Sequence, residues 1–163
     1  MTIKGYELLG KALKRQGVDT MFFILGGPMT TSENACLREG IRGIGVRHEQ
    51  GAAMMAHGYT RSLKGPGVCM AASGPGTINF STGLATSLVD CVPVVALGGS
   101  SSAQEWGNGT FQEIDQVAVM RPVTKWAERV YEIRRFPEMI NKAFQMATSG
   151  KPGPVYLDFP GDV

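Results

Sequence analysis

The densest group of chemically able side chains is Arg47-His48-Glu49-Gln50, directly after the short apolar run Gly43-Ile44-Gly45-Val46 and before the small residues Gly51, Ala52 and Ala53. A carboxylic acid between a strand end and the first turn of a helix can exchange a proton with a bound molecule. It can equally serve as a helix-start acid, favoured there by the helix dipole by about 0.3–1 kcal/mol. His48 taken alone reads as structural, and with Arg47 it could form a surface charge cluster. A second turn, Ser73-Gly74-Pro75-Gly76-Thr77, also joins an apolar run to a helix-period segment, where backbone N–H groups could cradle an anion. It matches neither Gly-x-Gly-x-x-Gly nor Gly-x-x-x-x-Gly-Lys-Ser/Thr, and Asp90 stands in the wrong register to bind a ribose, so dinucleotide binding is not supported. His48 and His57 are nine positions apart with no third partner, which gives neither a metal site nor a Ser-His-Asp arrangement.

Those turns are positioned by apolar runs that alternate with helix-period segments. Tyr6, Leu9, Ala12 and Leu13 share one face of a helix that starts among the first five residues and ends near Gly17. Met21 to Leu25 reads as a buried strand stopped by Gly26-Gly27-Pro28, and Thr30 with Glu33 as the capping box of a short helix. Gly43 to Val46 is a strand, Glu49 to Leu63 a helix whose small residues imply close packing, and Val68 to Ala72 a strand. A helix is expected from Gly76 to Val89, then a strand from Val92 to Leu97 ended by Gly98-Gly99, and a polar loop from Ser100 to Gly109. Val117 to Met120 closes a short helix, Val123 to Val130 contains a strand, and Pro137 opens a last helix that Gly150 ends. Pro154 to Phe159 is the final strand. Six apolar runs separated by helices predict an α/β fold, a mainly parallel six-stranded sheet with helices on both faces. In such sheets ligands bind beyond the carboxyl ends of the strands, where the glycine-rich turns fall.

Composition narrows the classes further. The chain has 163 residues, enough for one domain, with 43% hydrophobic and 18% charged residues, an ordinary globular balance. A net charge of +2 with scattered basic residues gives no reason to expect nucleic acid or a membrane surface as partner. Cys36, Cys69 and Cys91 have no metal-ligand spacing, and Cys69 lies in the apolar run from Val68 to Ala72, where a reduced cysteine packs as a small hydrophobe. No signal-peptide pattern opens the sequence and no apolar run has bilayer length, so a cytoplasmic protein is expected.

Seven segments together carry a resemblance. Gly26-Gly27, Arg47 to Ala52, Gly58-Tyr59-Thr60-Arg61, Ser73 to Asn79, Asp90 to Val94, Phe111-Gln112-Glu113-Ile114-Asp115 and Gly153-Pro154-Val155 follow one known order and spacing. They resemble the aminopyrimidine-binding (PYR) domain of thiamine-diphosphate enzymes, from Tyr6 to Val163. The nearest patterns are acetolactate synthase, oxalyl-CoA decarboxylase, 2-hydroxyacyl-CoA lyase and benzoylformate decarboxylase. Glyoxylate carboligase, similar elsewhere, has an aliphatic residue in place of Glu49.

The resemblance implies thiamine diphosphate as cofactor, with Glu49 as the acid that holds the N1′ side of its aminopyrimidine and so activates it. It implies cofactor contacts from Gly27, Pro75, Gly76 and Asn79, a substrate-side role for Gln112, and an orienting role behind Glu49 for His48. His57 reads as an exposed helix position. No metal ligand is expected in this chain, since the family's diphosphate and Mg²⁺ are held by a second, diphosphate-binding domain. Residues 1–163 therefore read as a single N-terminal domain of a longer three-domain polypeptide, a homodimer or homotetramer acting on a 2-oxo acid or an acyl-CoA. The class of reaction (decarboxylase, lyase or transferase) and any FAD are left open. A natural PYR subunit of a split enzyme, or a non-catalytic binding module of the same fold, are the alternatives.

Overall fold

The computed structural model describes residues 3–62 and 65–162; the expected helix end at Leu63, the first two residues, Lys64 and Val163 lie outside the described residues. Six strands, β1 (Thr20–Phe23), β2 (Arg42–Gly45), β3 (Gly67–Ala71), β4 (Val94–Ser100), β5 (Trp126–Arg129) and β6 (Val155–Pro160), form one sheet in the order β2-β1-β3-β4-β6-β5. Every pairing is parallel. Around the sheet lie α1 (Gly5–Arg15), α2 (Thr30–Arg38), α3 (Glu49–Ser62), α4 (Pro75–Ile78), α5 (Ser81–Val89), α6 (Gln116–Met120) and α7 (Phe136–Thr148).

Strand alternation divides the core in two. Met21, Phe23, Val68, Met70, Val95, Leu97, Val155 and Leu157 face one side and pack with Leu9 and Leu13 of α1, Cys36 of α2 and Ile140 and Phe144 of α7. Phe22, Cys69, Ala71, Val94, Ala96 and Tyr156 face the other, against Ala52, Ala53 and Ala56 of α3, Leu84 of α5 and Met120 of α6. The inner strands β3, β4 and β6 are buried throughout, whereas β2 and β5 at the edges are partly exposed. Close packing of α3 follows from its small residues: a Cβ on Gly83 of α5 would lie 2.5 Å from the Ala53 Cβ.

Several expected boundaries shift, each for a physical reason. The strand expected to stop before Gly98-Gly99 runs on to Ser100, because Gly98 and Gly99 continue the register with Asp158 and Phe159 of β6. A Cβ on Gly98 would lie 2.5 Å from the Tyr156 hydroxyl, so glycine here makes room within the strand instead of ending it. The helix expected from Gly76 to Val89 is two helices, α4 and α5, separated at Asn79 and Phe80. The expected Thr30/Glu33 capping box does not form: Met29 is the N-cap of α2, no side chain caps it, and Glu33 is fully buried with no donor to either oxygen among the described residues. Burial of that lone carboxyl pushes its pKa up to about 8. Gly150 does follow α7 in the left-handed region, at φ +56°, one residue beyond the C-cap Ser149.

Candidate functional site

Sheet order determines where a ligand could bind. After β1 the chain moves outward to β2, then returns to place β3 on the other flank of β1, so the strand-end turns diverge at β1 and β3. The turn after β1 presents Gly26 and Gly27; that after β2 leads to Glu49; that after β3 is Ser73 to Gly76; and the loop after β4 carries Gln112.

Glu49, the first residue of α3, is half-buried, and its Oε2 accepts a hydrogen bond from Asn79 Nδ2 at 3.0 Å. Its Oε1 faces the Gly76 backbone, where a Cβ would lie 3.1 Å away. His48 is exposed and its Nδ1 accepts the Gln50 N–H at 3.2 Å, so the imidazole caps the start of α3. Gly27, at φ +45°, lies beside the turn after β3: a Cβ on it would be 3.7 Å from Ser73 Oγ and 3.8 Å from the Ala72 Cβ. Pro75 opens α4 and is exposed. Gln112 also has a left-handed backbone, φ +60°, and its Oε1 accepts the Ser73 hydroxyl at 2.8 Å. Thus Glu49, Gly76, Asn79, Ser73, Gln112 and Gly27 come together at one end of the sheet; His48 stands at its rim.

The loop from Ser101 to Asp115 is tied down at its start and braced within itself. Asp162 accepts from Ser102 Oγ and Ala103 N, each at 2.8 Å, and Glu113 accepts the Gly107 N–H at 2.9 Å. The backbone hydrogen bond from Gly107, with those from Thr110, holds the Glu113 carboxyl below its ordinary pKa. Trp106 lies over the Arg129 guanidinium, 3.9 Å from its ring centroid.

The residues that sequence reasoning missed lie just behind the turn. Asp158 sits fully buried in the inner strand β6, and its charge is met by Arg129 Nε at 2.5 Å and the Tyr156 hydroxyl at 2.7 Å. Burial and the neighbouring Asp158 carboxylate push the Tyr156 phenol well above its ordinary pKa, so it remains a donor. Gln116, also fully buried, joins this group to the Gly74 N–H. An aspartate inside the apolar run Val155 to Phe159 was the available signal, since a buried charge demands partners. His57 is a correction as well: it is buried, with Nδ1 3.1 Å from Ser87 Oγ and Nε2 3.5 Å from Asp90 Oδ2, because α3 and α5 pack too closely to leave it in water.

The assembled groups are one carboxylate, two carboxamides, a hydroxyl and glycine backbones. Such a set can pair with the polar edge of a flat heteroaromatic ring. Among the described residues no cluster of three metal-ligating side chains occurs. Two concavities of about 300 and 400 Å³ lie elsewhere, one lined by Asp19, Tyr59 and Pro66, the other by Leu8, Lys11 and Pro137. Neither includes a strand-end turn.

Fold and site together define a parallel α/β domain that offers a carboxylate and glycine-lined turns at a switch point. Residues 3–119 match the thiamine pyrophosphate enzyme N-terminal TPP-binding domain, and the chain belongs to that family. It is 44% identical over 161 residues to the chloroplastic acetolactate synthase of Arabidopsis thaliana, an alignment covering 98% of this chain and 24% of that protein. The large subunit of acetolactate synthase isozyme 2 from Escherichia coli is 42% identical, with 99% of this chain and 29% of the relative covered. A probable acetolactate synthase large subunit from Methanocaldococcus jannaschii is 41% identical, with 99% and 27% covered. The chain spans about a quarter of the length of these relatives. Among the described residues no helix is long and apolar enough to cross a membrane.

Proposed function

We propose that this chain is the aminopyrimidine-binding part of a cytoplasmic thiamine-diphosphate enzyme of the acetolactate synthase type, acting on 2-oxo acids or on 2-hydroxyacyl- or oxalyl-CoA. The observation that carries the reading is the Glu49 carboxyl, with Oε2 fixed by Asn79 at 3.0 Å and Oε1 turned to the Gly76 backbone. When bound, thiamine diphosphate supplies an electron sink for breaking or making a bond next to a carbonyl. With the cofactor in place, Glu49 would hold and return a proton at Oε1 toward the aminopyrimidine. Asn79 orients that carboxyl, the bare Gly76 backbone leaves room for it, Gly27 and Pro75 would border the cofactor, and His48 sets the helix start that carries Glu49. Gln112, braced on Ser73, faces the substrate side. The diphosphate and Mg²⁺ fall to a second domain, of this polypeptide or of a partner copy in a homodimer or homotetramer.

The test is Glu49→Gln in the full-length polypeptide. The amide keeps the size and an acceptor for Asn79 but cannot deliver a proton. We expect exchange of the cofactor's C2 hydrogen to slow by orders of magnitude, with thermal stability unchanged or slightly raised, because an amide is cheaper to bury than a carboxylate without a counter-charge. A mere helix-start acid predicts the reverse, normal exchange and a stability loss below about 1 kcal/mol. Cofactor affinity by calorimetry gives an independent reading of whether the site survives.

A further inference from the structure

We infer that Gln116 is a positioning residue for the Glu49 site: its buried carboxamide holds the Ser73-Gly74-Pro75-Gly76 turn in the conformation that brings Asn79 to the Glu49 carboxylate. The inference rests on the reading of Glu49 given above.

Gln116 is the first residue of α6 and has no exposed surface. Its Nε2 lies 2.9 Å from the Gly99 carbonyl, 3.0 Å from the Tyr156 hydroxyl and 2.5 Å from Asp158 Oδ1. The Gly99 and Asp158 oxygens can only accept, so the amino group must face them, and Oε1 is thereby aimed at the Gly74 N–H, which donates to it. The far side of this group does not yield: Asp158 is paired with Arg129, and Trp106 covers the guanidinium.

Gly74 is where this anchor acts. It has φ +60° and ψ −121°, and a Cβ there would lie 2.4 Å from the Gln112 carbonyl oxygen. Its own carbonyl accepts the Ile78 N–H at 3.0 Å, the first bond of α4, and the Pro75 carbonyl accepts the Asn79 N–H at 3.1 Å. Helix α4 is four residues long, too short to sustain itself, so its placement comes from what holds its ends. At one end Gln116 fixes Gly74; at the other Asn79 meets Glu49. An apolar side chain at Gln116 would fill the space but leave the Gly74 N–H buried and unpaired.

Two variants of this chain, Gln116→Met and Gln116→Glu, separate anchoring from space-filling. Nuclear magnetic resonance reads the Gly74 amide exchange, the Asn79 side-chain amide and the Glu49 carboxyl. Gln116→Met keeps the volume, and we expect Gly74 exchange to rise about tenfold, the loss of one buried hydrogen bond, with Leu97 of β4 as the unaffected reference. The Asn79 and Glu49 signals should move with it. Gln116→Glu keeps an acceptor for Gly74, but its second oxygen meets Asp158, with Tyr156 and Arg129 the other ionisable groups facing it. Its neutral form fits and its ionised form is repelled, so Gly74 protection should survive at low pH and fall as pH rises. Unchanged Gly74 exchange, or faster exchange with unmoved Asn79 and Glu49 signals, overturns the inference. In the full-length polypeptide the same variants distinguish the two readings. Shifted signals in the chain, with normal turnover in both Gln116→Met and Glu49→Gln, leave the positioning role standing and remove the Glu49 role. Lost turnover in Glu49→Gln, with no change in Gln116→Met by any readout, removes the positioning role alone.

Discussion

Glu33 offers a test in which the size of the effect follows from the structure. Its carboxyl is fully buried in α2, finds no donor among the described residues, and burial raises its pKa from 4.5 to about 8. Between those values the unfolded chain has released a proton that the folded chain still holds. The stability tied to the protonated form is therefore complete below about pH 4.5 and declines by about 1.4 kcal/mol per pH unit until the pH passes about 8, after which it is constant. The whole loss is on the order of 5 kcal/mol, a large part of a domain's net stability. Glu33→Met keeps a similar length and volume without the carboxyl. Urea unfolding of both proteins at about pH 5, 7 and 9 should show the variant far more stable at the highest pH, with the gap narrowing towards the lowest. Parallel pH profiles for the two proteins would refute the reasoning, because Glu33 would then be ionised or paired in the folded chain.

Three further outcomes follow. Gly74→Ala should lose more than about 1 kcal/mol, from the positive φ plus the clash with the Gln112 carbonyl, read as a lower midpoint in thermal unfolding. Asp158→Asn removes the counter-charge of the buried Arg129 and should cost about 3–5 kcal/mol by urea titration; a change below about 1 kcal/mol would mean that water reaches the pair. This chain by itself should bind thiamine diphosphate weakly or not at all by calorimetry and turn over no 2-oxo acid with cofactor and Mg²⁺; measurable turnover would contradict the assignment of the diphosphate end to a second domain.

What the sequence alone determined is local. Continuous apolar runs such as Met21-Phe22-Phe23 and Val68-Cys69-Met70 identify strands buried on both faces, and glycine turns mark their ends. The motif order from Gly26 to Val155 also carried the family, because the spacing of strand-end turns is a property of the chain. The tertiary structure decided whatever depends on residues remote in sequence. Glu49 and Asn79 are thirty positions apart and meet only because β1 lies between β2 and β3. Gln116 reaches Gly74 across forty-two positions, since β4, β6 and α6 bring a polar group under the turn. The same cause explains the misreadings of His57, Glu33 and Gly98-Gly99. Each has a local pattern that allows two readings, and the neighbour that selects one belongs to another element: α5 for His57, the surrounding core for Glu33, and β6 with its Tyr156 hydroxyl for the glycine pair. A helix cap or strand end is read from a few adjacent residues, but burial is a property of the assembled layers.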